Sequence, residues 1–324
     1  MVMTPGLGIS LSYAPFGIPA TADEVQLESV RMRTALGELT VHAGRRDRAD
    51  DTATILLHGG AGSWSTFGPL LEADELSSLP GERLVRNVVA PDLPGWGATP
   101  LPVGEFDIDA AARSIVEATR ALGYERWRIV GHSLGGFLAL HLAAMEPERT
   151  VSVAVVSPSS FGIVDAVRHP VRALRRLPAF AGMRAAMATL GLWEGGGRLL
   201  TRGLGNSGAL RGLAAPLFRH PSLVDESVYI ALGEEVRPHA FTRAADAVRD
   251  YDLTSWGRIT APVTAIRGDA DVFLAPDDLP ALLAVIPGAR SVVLERTGHF
   301  AHVERPFAVL DSLLRLESEP FSSL

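Results

Sequence analysis

The stretch Trp127-Arg128-Ile129-Val130, running into Gly131-His132-Ser133-Leu134-Gly135-Gly136, decides how this chain is read. Trp127 to Val130 has the character of a short buried strand. From Leu134 to about Met145 the residues favour a helix, which must stop before Pro147. A serine between the two sits in a turn so sharp that the residues two before and two after it must be small. Gly131 and Gly135 meet that condition. The same turn leaves the N–H of Leu134 among the unpaired donors at the start of the helix, pointing outward. A G-x-S-x-G between strand and helix is the pattern of a nucleophile elbow. A glycine-rich turn that only packs is the competing reading.

Outward from this point, short apolar runs alternate with helical segments, which predicts an α/β fold with a mostly parallel sheet flanked by helices. The strand runs are Val25–Arg33 and Glu38–Ala43, read as a hairpin, then Thr54–Leu57, Val85–Ala90, Trp127–Val130, Val151–Val156, Pro262–Ile266 and Ser291–Leu294. That makes an eight-stranded sheet. Helices are expected over Asp107–Leu122, with the aspartate as cap and Gly123 at the end, over Asp278–Val285, and from about Pro306. In the last, Phe307, Leu310, Leu313 and Leu314 would supply one apolar face. Between Phe161 and about Arg258 strand signals thin out and helical stretches such as Val164–Leu177 and Pro238–Arg249 take over. The chain then divides into a core, 1–160 with 259–324, and a helical lid, 161–258, inserted after the sixth strand.

Composition removes several chemistries. The chain has 324 residues, no cysteine and a formal net charge of −7. A thiol nucleophile, a disulfide framework and a thiolate metal site are therefore excluded. Every one of the 30 basic residues is arginine, which excludes Schiff-base and lysine-base catalysis. Nucleic acid is not the expected partner of so acidic a chain. Its excess of arginine lies in 161–258, where a solvated helical surface is expected rather than a channel for acidic substrates. Met1 to Ala20 lacks a basic start and is broken by Pro5, Pro15 and Pro19, unlike a signal peptide. No run approaches the ~20 apolar residues of a membrane span. A cytoplasmic protein without membrane attachment is the expectation. No histidine spacing with an acidic partner suggests zinc, so neither metal nor cofactor is expected.

Further motifs follow other strands. Leu57-His58-Gly59-Gly60-Ala61-Gly62 closes the third strand, and its glycines free backbone N–H groups to face a substrate. Gly60 is the expected donor, with Ala61 second and His58 structural. Asp92-Leu93-Pro94-Gly95-Trp96-Gly97, Gly268-Asp269-Ala270-Asp271 with Pro276, and Gly298-His299 with Glu304-Arg305-Pro306 complete the set. Together with the elbow, these resemble the D-x-P-G-x-G, acid and histidine loops of the α/β-hydrolase superfamily. The resemblance spans about Val25 to Leu316, in the order serine, acid, histidine.

The resemblance implies Ser133 as nucleophile, His299 as general base and Asp271 as its orienting acid, with Gly60 and Leu134 forming the oxyanion hole. Asp269 rivals Asp271 and His302 rivals His299, whereas His132 and His141 are expected to pack. A serine at the elbow separates the chain from haloalkane dehalogenases and epoxide hydrolases, which use aspartate there. Cleavage of an ester or lactone in a small molecule with an apolar acyl or alcohol part is the leading expectation. A ring-cleavage carbon–carbon hydrolase, a proline aminopeptidase and a non-catalytic receptor are the alternatives. Trp64, Phe67, Trp96, Phe137, Phe161, Trp193 and Phe273 are the aromatic residues able to line an acyl pocket. Trp64, Phe161 and Phe273 are preferred because they directly follow strands that feed the site.

Overall fold

The computed structural model describes residues 13–47, 49–77, 83–104, 106–193 and 196–318. Of the N-terminal stretch read above, Met1 to the residue at position 12 lies outside the described residues. The strands are β1 (Leu27–Thr34), β2 (Gly37–Gly44), β3 (Thr52–Leu57), β4 (Val88–Pro91), β5 (Arg126–His132), β6 (Thr150–Val156), β7 (Val263–Gly268) and β8 (Arg290–Leu294). They form one eight-stranded sheet in the order β1-β2-β4-β3-β5-β6-β7-β8. β1 and β2 pair antiparallel, as do β2 and β4, and every other neighbour is parallel.

The order turns back on itself at β3, which has β4 on one side and β5 on the other. Open α/β sheets place their ligand sites at such a switch point, outside the C-terminal strand ends. There Leu57 pairs with Gly131, and His132 pairs with Val156. The loops after β3, β5, β6 and β7 therefore leave the sheet side by side.

Alternation along each central strand feeds two cores. Ile55, Leu57, Ile129, Val153 and Val155 pack with helices α2 (Ile108–Ala121) and α3 (Leu134–Met145). Leu56, Val130, Ala154, Val156 and Ile266 pack against α1 (Gly68–Ser77) and α13 (Pro306–Ser318) on the other face. Asp107 caps α2 by accepting the N–H of Ala110. In α13 the buried face is Val309, Leu310 and Leu313, whereas Leu314, expected on it, is half exposed. Helix α1 was not foreseen.

Between β6 and β7 the described residues form helices joined by turns, with no strand among them. The α-helices are α4 (Phe161–Arg168), α5 (Pro170–Arg176), α6 (Pro178–Gly191), α7 (Gly196–Asn206), α8 (Leu210–Ala214), α9 (Glu226–Glu234) and α10 (Pro238–Ala247). The single helix expected over Val164–Leu177 is broken at His169, whose φ of −129° and ψ of 70° lie outside the helical region. A residue before proline is kept out of the helical region, and Pro170 then opens a new helix from its first position. Pro178 and Pro238 begin α6 and α10 in the same way. Helix α11 (Asp278–Val285) and the short α12 (Ala301–Glu304) complete the described α-helices. No described helix is long and apolar enough to cross a membrane.

Candidate active site

Ser133 sits between β5 and α3 with φ 51° and ψ −115°, a conformation that non-glycine residues rarely adopt. Its N–H donates to Val156 O at 3.0 Å, and its carbonyl accepts from Phe137 and Ser159. The glycines around it are steric necessities. A Cβ on Gly131 would lie 2.3 Å from Gly135 O, and one on Gly135 would lie 2.0 Å from Leu57 O. The serine is thereby held in the wall of a cavity of about 510 Å³, which His299 also lines.

The loop after β3 turns through Gly60 and Ala61, closed by Gly62 N–H donating to Gly59 O at 3.2 Å. Ala61 has φ 62°, and both turn residues line the cavity. Neither of their N–H groups reaches an acceptor among the described residues. Leu134, the first residue of α3, also lines the cavity. His58 braces the loop: it faces Gly59 O through Nδ1 at 2.8 Å and accepts the Leu93 N–H through Nε2 at 2.8 Å. Burial holds its imidazole below the ordinary histidine value, so it is neutral.

His299 meets Asp271 through Nδ1, at 3.0 Å to Oδ1 and 3.2 Å to Oδ2. A carboxylate there can only accept, so Nδ1 carries a proton, and in the neutral imidazole the lone pair is then on Nε2. Burial pushes the Asp271 carboxyl up, but the facing imidazole and the Phe273 N–H at 2.9 Å outweigh it and bring it below the usual carboxylate value. Asp269 turns elsewhere, accepting the N–H of Thr297 at 3.0 Å. The structure thus brings Asp271, and not its rival, to the imidazole.

The loop carrying His299 is pinned from several sides. Its N–H donates to Leu217 O at 2.8 Å, and its carbonyl accepts His132 Nε2 at 3.1 Å. Glu304 accepts from Gly298 N–H, from Arg219 N–H at 2.9 Å and from Tyr13 Oη at 2.5 Å. His302 is fully buried, packed on His132 and Phe67, with its pKa pushed down to about 3 by burial and by nearby His299. A group so reluctant to take a proton is a poor base, and it does not line the cavity. His141 meets Tyr251 Oη at 2.9 Å, away from the cavity.

Among the aromatic residues preferred from sequence, only Phe273 lines the cavity, with its ring edge-on to His299 at 4.8 Å. Trp64 stacks on His42 at 4.7 Å and belongs to the core beneath the sheet. Phe161 turns to Trp256, 5.8 Å away. Both expectations are corrected for one reason: following a strand locates the backbone but not the face a side chain takes. Trp96 does line the cavity, as do insertion residues that sequence reasoning missed, including Phe180, Met183, Met187 and Phe241. The signal was present on α6, where Met183, Met187 and Leu190 recur at helical spacing.

Among the described residues no Arg, Asp or Glu lines the cavity. Ser133, Ser157, Ser159, Thr201, Trp96 and His299 carry its polar side-chain atoms. Arg184 pairs with Asp246 and Arg237 with Glu235 outside the cavity lining. Nor do the described residues contain a group of three acidic or histidine side chains placed to hold a metal ion.

Comparison with known proteins agrees with this architecture. The model of the Alpha/beta hydrolase family matches residues 54–312, and the chain belongs to that family. A 2-hydroxy-6-oxo-6-phenylhexa-2,4-dienoate hydrolase from Burkholderia cepacia is 27% identical over 269 residues, 80% of this chain and 85% of that protein. Among solved structures, the enol-lactonase of Burkholderia xenovorans LB400 superposes with a TM-score of 0.66 at 20% identity, covering 90% of this chain and 100% of that one. A carboxylesterase from Bacillus subtilis gives 0.62 at 17% identity, covering 92% and 95%. The chain shares with these structures the fold of a hydrolase.

Proposed function

We propose that this chain is a serine hydrolase cleaving an uncharged, largely apolar carboxylic ester or lactone through an acyl-enzyme intermediate. The observation that carries the proposal is the His299–Asp271 pair opening onto the apolar cavity that Ser133 faces. In the first half-reaction His299 Nε2 takes the Ser133 hydroxyl proton as Oγ bonds to the carbonyl carbon. The negative oxygen is held by the N–H groups of Leu134 and Gly60, each contributing roughly 3 kcal/mol by analogy with serine proteases. The ester C–O bond then breaks, and the alcohol leaves with the proton from His299. Water repeats the sequence on the acyl-serine and frees the acid. Asp271 orients the imidazole and balances its transient charge. Phe273 and the helical insertion, acting as a lid, supply the apolar walls.

The wall chemistry favours this reading over the alternatives. The substrate named for the Burkholderia cepacia relative is a carboxylate. Burying that charge in a cavity without a cationic side chain is strongly unfavourable. A peptide N-terminus would equally lack the acidic partner its ammonium requires. The test is direct competition: kcat/KM for p-nitrophenyl octanoate against that for 2-hydroxy-6-oxo-6-phenylhexa-2,4-dienoate. Preference for the octanoate is expected. Efficient cleavage of the dienoate with little ester turnover would replace this proposal with carbon–carbon bond hydrolysis.

A further inference from the structure

One segment of the insertion combines positive charge with exposed apolar side chains. Val171–Leu223 holds eight arginines and a single acidic residue, Glu194. Its formal charge is +7 in a chain whose total is −7, which leaves −14 for the remainder. The same segment carries eight of the twelve large apolar side chains that stand exposed among the described residues. Single exposed apolar residues are ordinary, but their concentration in one segment marks an interaction surface.

The cavity narrows the choice of partner. Six of its lining residues are themselves exposed: Pro178, Gly182, Ala186, Leu200, Leu213 and Pro216. All six belong to this segment, on or beside α6, α7 and α8, so the cavity meets solvent through it. Further apolar groups adjoin that rim. Leu199 stands next to Leu200 on α7, and Leu192 and Trp193 follow Leu190, another lining residue. They are exposed by 72%, 87% and 62%. Trp193 covers the start of α7, where a Cβ on Gly196 would stand 2.4 Å from its Cε2. None of these three lines the cavity that Ser133 faces, so a substrate held inside does not account for them.

The arginines lie at the surface. Arg172, Arg176, Arg184 and Arg202 reach Asp165, Asp277, Asp246 and Glu234, all outside the segment. Surface pairs of this kind are weak, and a guanidinium readily exchanges a carboxylate for a phosphate. Arg175 and Arg219 are exposed as well. A two-fold contact of this face with a second copy would set one basic segment against another. An anionic lipid surface matches both features, offering phosphates to the guanidinium groups and an acyl boundary to the leucines and the indole. The acidic remainder of the chain is repelled by the same lipids, which turns the segment toward them.

We propose that the segment from α5 to α8 is a peripheral docking face for an anionic phospholipid bilayer, through which apolar substrate dissolved in the lipid enters the cavity. The contact is peripheral because no described helix is long and apolar enough to cross a membrane. It departs from the merely solvated surface that the arginine content of the insertion suggested. Docking stands on the surface alone, and only the passage of an ester to Ser133 rests on the hydrolase reading.

The test uses the full chain and vesicles of phosphatidylcholine, either alone or mixed with an equal amount of phosphatidylglycerol. Affinity for the mixed vesicles should exceed that for phosphatidylcholine alone at least about tenfold, and should fall about tenfold from low to high salt. Trp193 is the exposed indole of five, the other four being buried. Lipids brominated on their acyl chains should therefore quench its fluorescence in the bound protein. The triple variant Leu192→Ser, Trp193→Ser, Leu199→Ser should bind mixed vesicles at least about tenfold more weakly, with its thermal melting nearly unchanged. Equal binding to both kinds of vesicle, or bound protein whose Trp193 is not quenched, would overturn the proposal. So would a wild-type dimer that shields Trp193 from acrylamide and that the triple variant fails to form, since the face would then cover a second copy. No readout requires turnover, so absence of hydrolysis by wild type would count against the hydrolase reading alone.

Discussion

Glu304 holds Gly298, the residue before His299, through both carboxylate oxygens, each 3.0 Å from the Gly298 N–H. The same carboxylate takes the Arg219 N–H of the helical insertion and the Tyr13 hydroxyl. Three separate parts of the chain are thus tied to the loop that carries the imidazole. The loop has little freedom of its own, since a Cβ on Gly298 would stand 2.4 Å from Leu217 O.

Replacing Glu304 with alanine leaves three donors without their acceptor, two of them buried. A loss of about 3 kcal/mol in urea unfolding is expected, together with a fall in kcat larger than any rise in KM, because His299 loses its register. A variant as stable and active as wild type would remove Glu304 from the account of how the loop is held.

Gly135→Ala reverses the usual sign of a glycine-to-alanine change in a helix, which normally stabilises by up to about 1 kcal/mol. Here the new methyl meets backbone atoms of β3, Leu57 O at 2.0 Å and Leu57 C at 2.4 Å, that cannot turn aside. The variant should lose about 3 kcal/mol or more, or fail to accumulate as folded protein. Thermal melting checks this.

Asp271 gives a pH signature. Its carboxyl titrates below the usual value in the folded chain, so its contribution to stability is complete above the ordinary aspartate range. That contribution is lost as pH falls through the lowered folded value. The stability gap between wild type and Asp271→Asn should therefore be widest near neutrality and shrink on acidification below about pH 4. At neutral pH the asparagine also favours the wrong tautomer of His299, and kcat should fall by about 10⁴, as in serine proteases. A gap that widens in acid would show that the carboxylate is not stabilised by its imidazole partner.

Cavity length should be visible in substrate preference. Each methylene buried against Met183, Met187 and Leu190 adds about 0.8 kcal/mol, roughly a fourfold gain in kcat/KM, until the cavity is filled. In a p-nitrophenyl ester series, Met187→Trp should lower the ratio of decanoate to acetate activity at least about tenfold. An unchanged ratio would place the acyl chain elsewhere.

Much of this was legible from spacing because the constraint was steric and local. Gly131 and Gly135 can be read as necessary since any side chain there collides with backbone four residues or one strand away. The strand-to-loop transitions at His58, Ser133, Asp271 and His299 follow from apolar runs that end abruptly. What stayed illegible was the side of a loop on which a ring comes to rest. Trp64 and Trp96 both follow strands through short turns. Yet Trp64 stacks on His42 in the core on one face of the sheet, whereas Trp96 lines the cavity. That choice depends on partners distant in sequence. In the insertion, Pro170 divides a helix that periodicity alone would have continued.

The central claim, that Ser133 is the nucleophile, is tested most directly by covalent labelling with an alkyl fluorophosphonate, read by intact mass and by peptide mapping. Wild type should take up one equivalent on the peptide containing Ser133, and folded Ser133→Ala should take up none. Labelling that persists in Ser133→Ala, or its absence from folded wild type, would contradict the account.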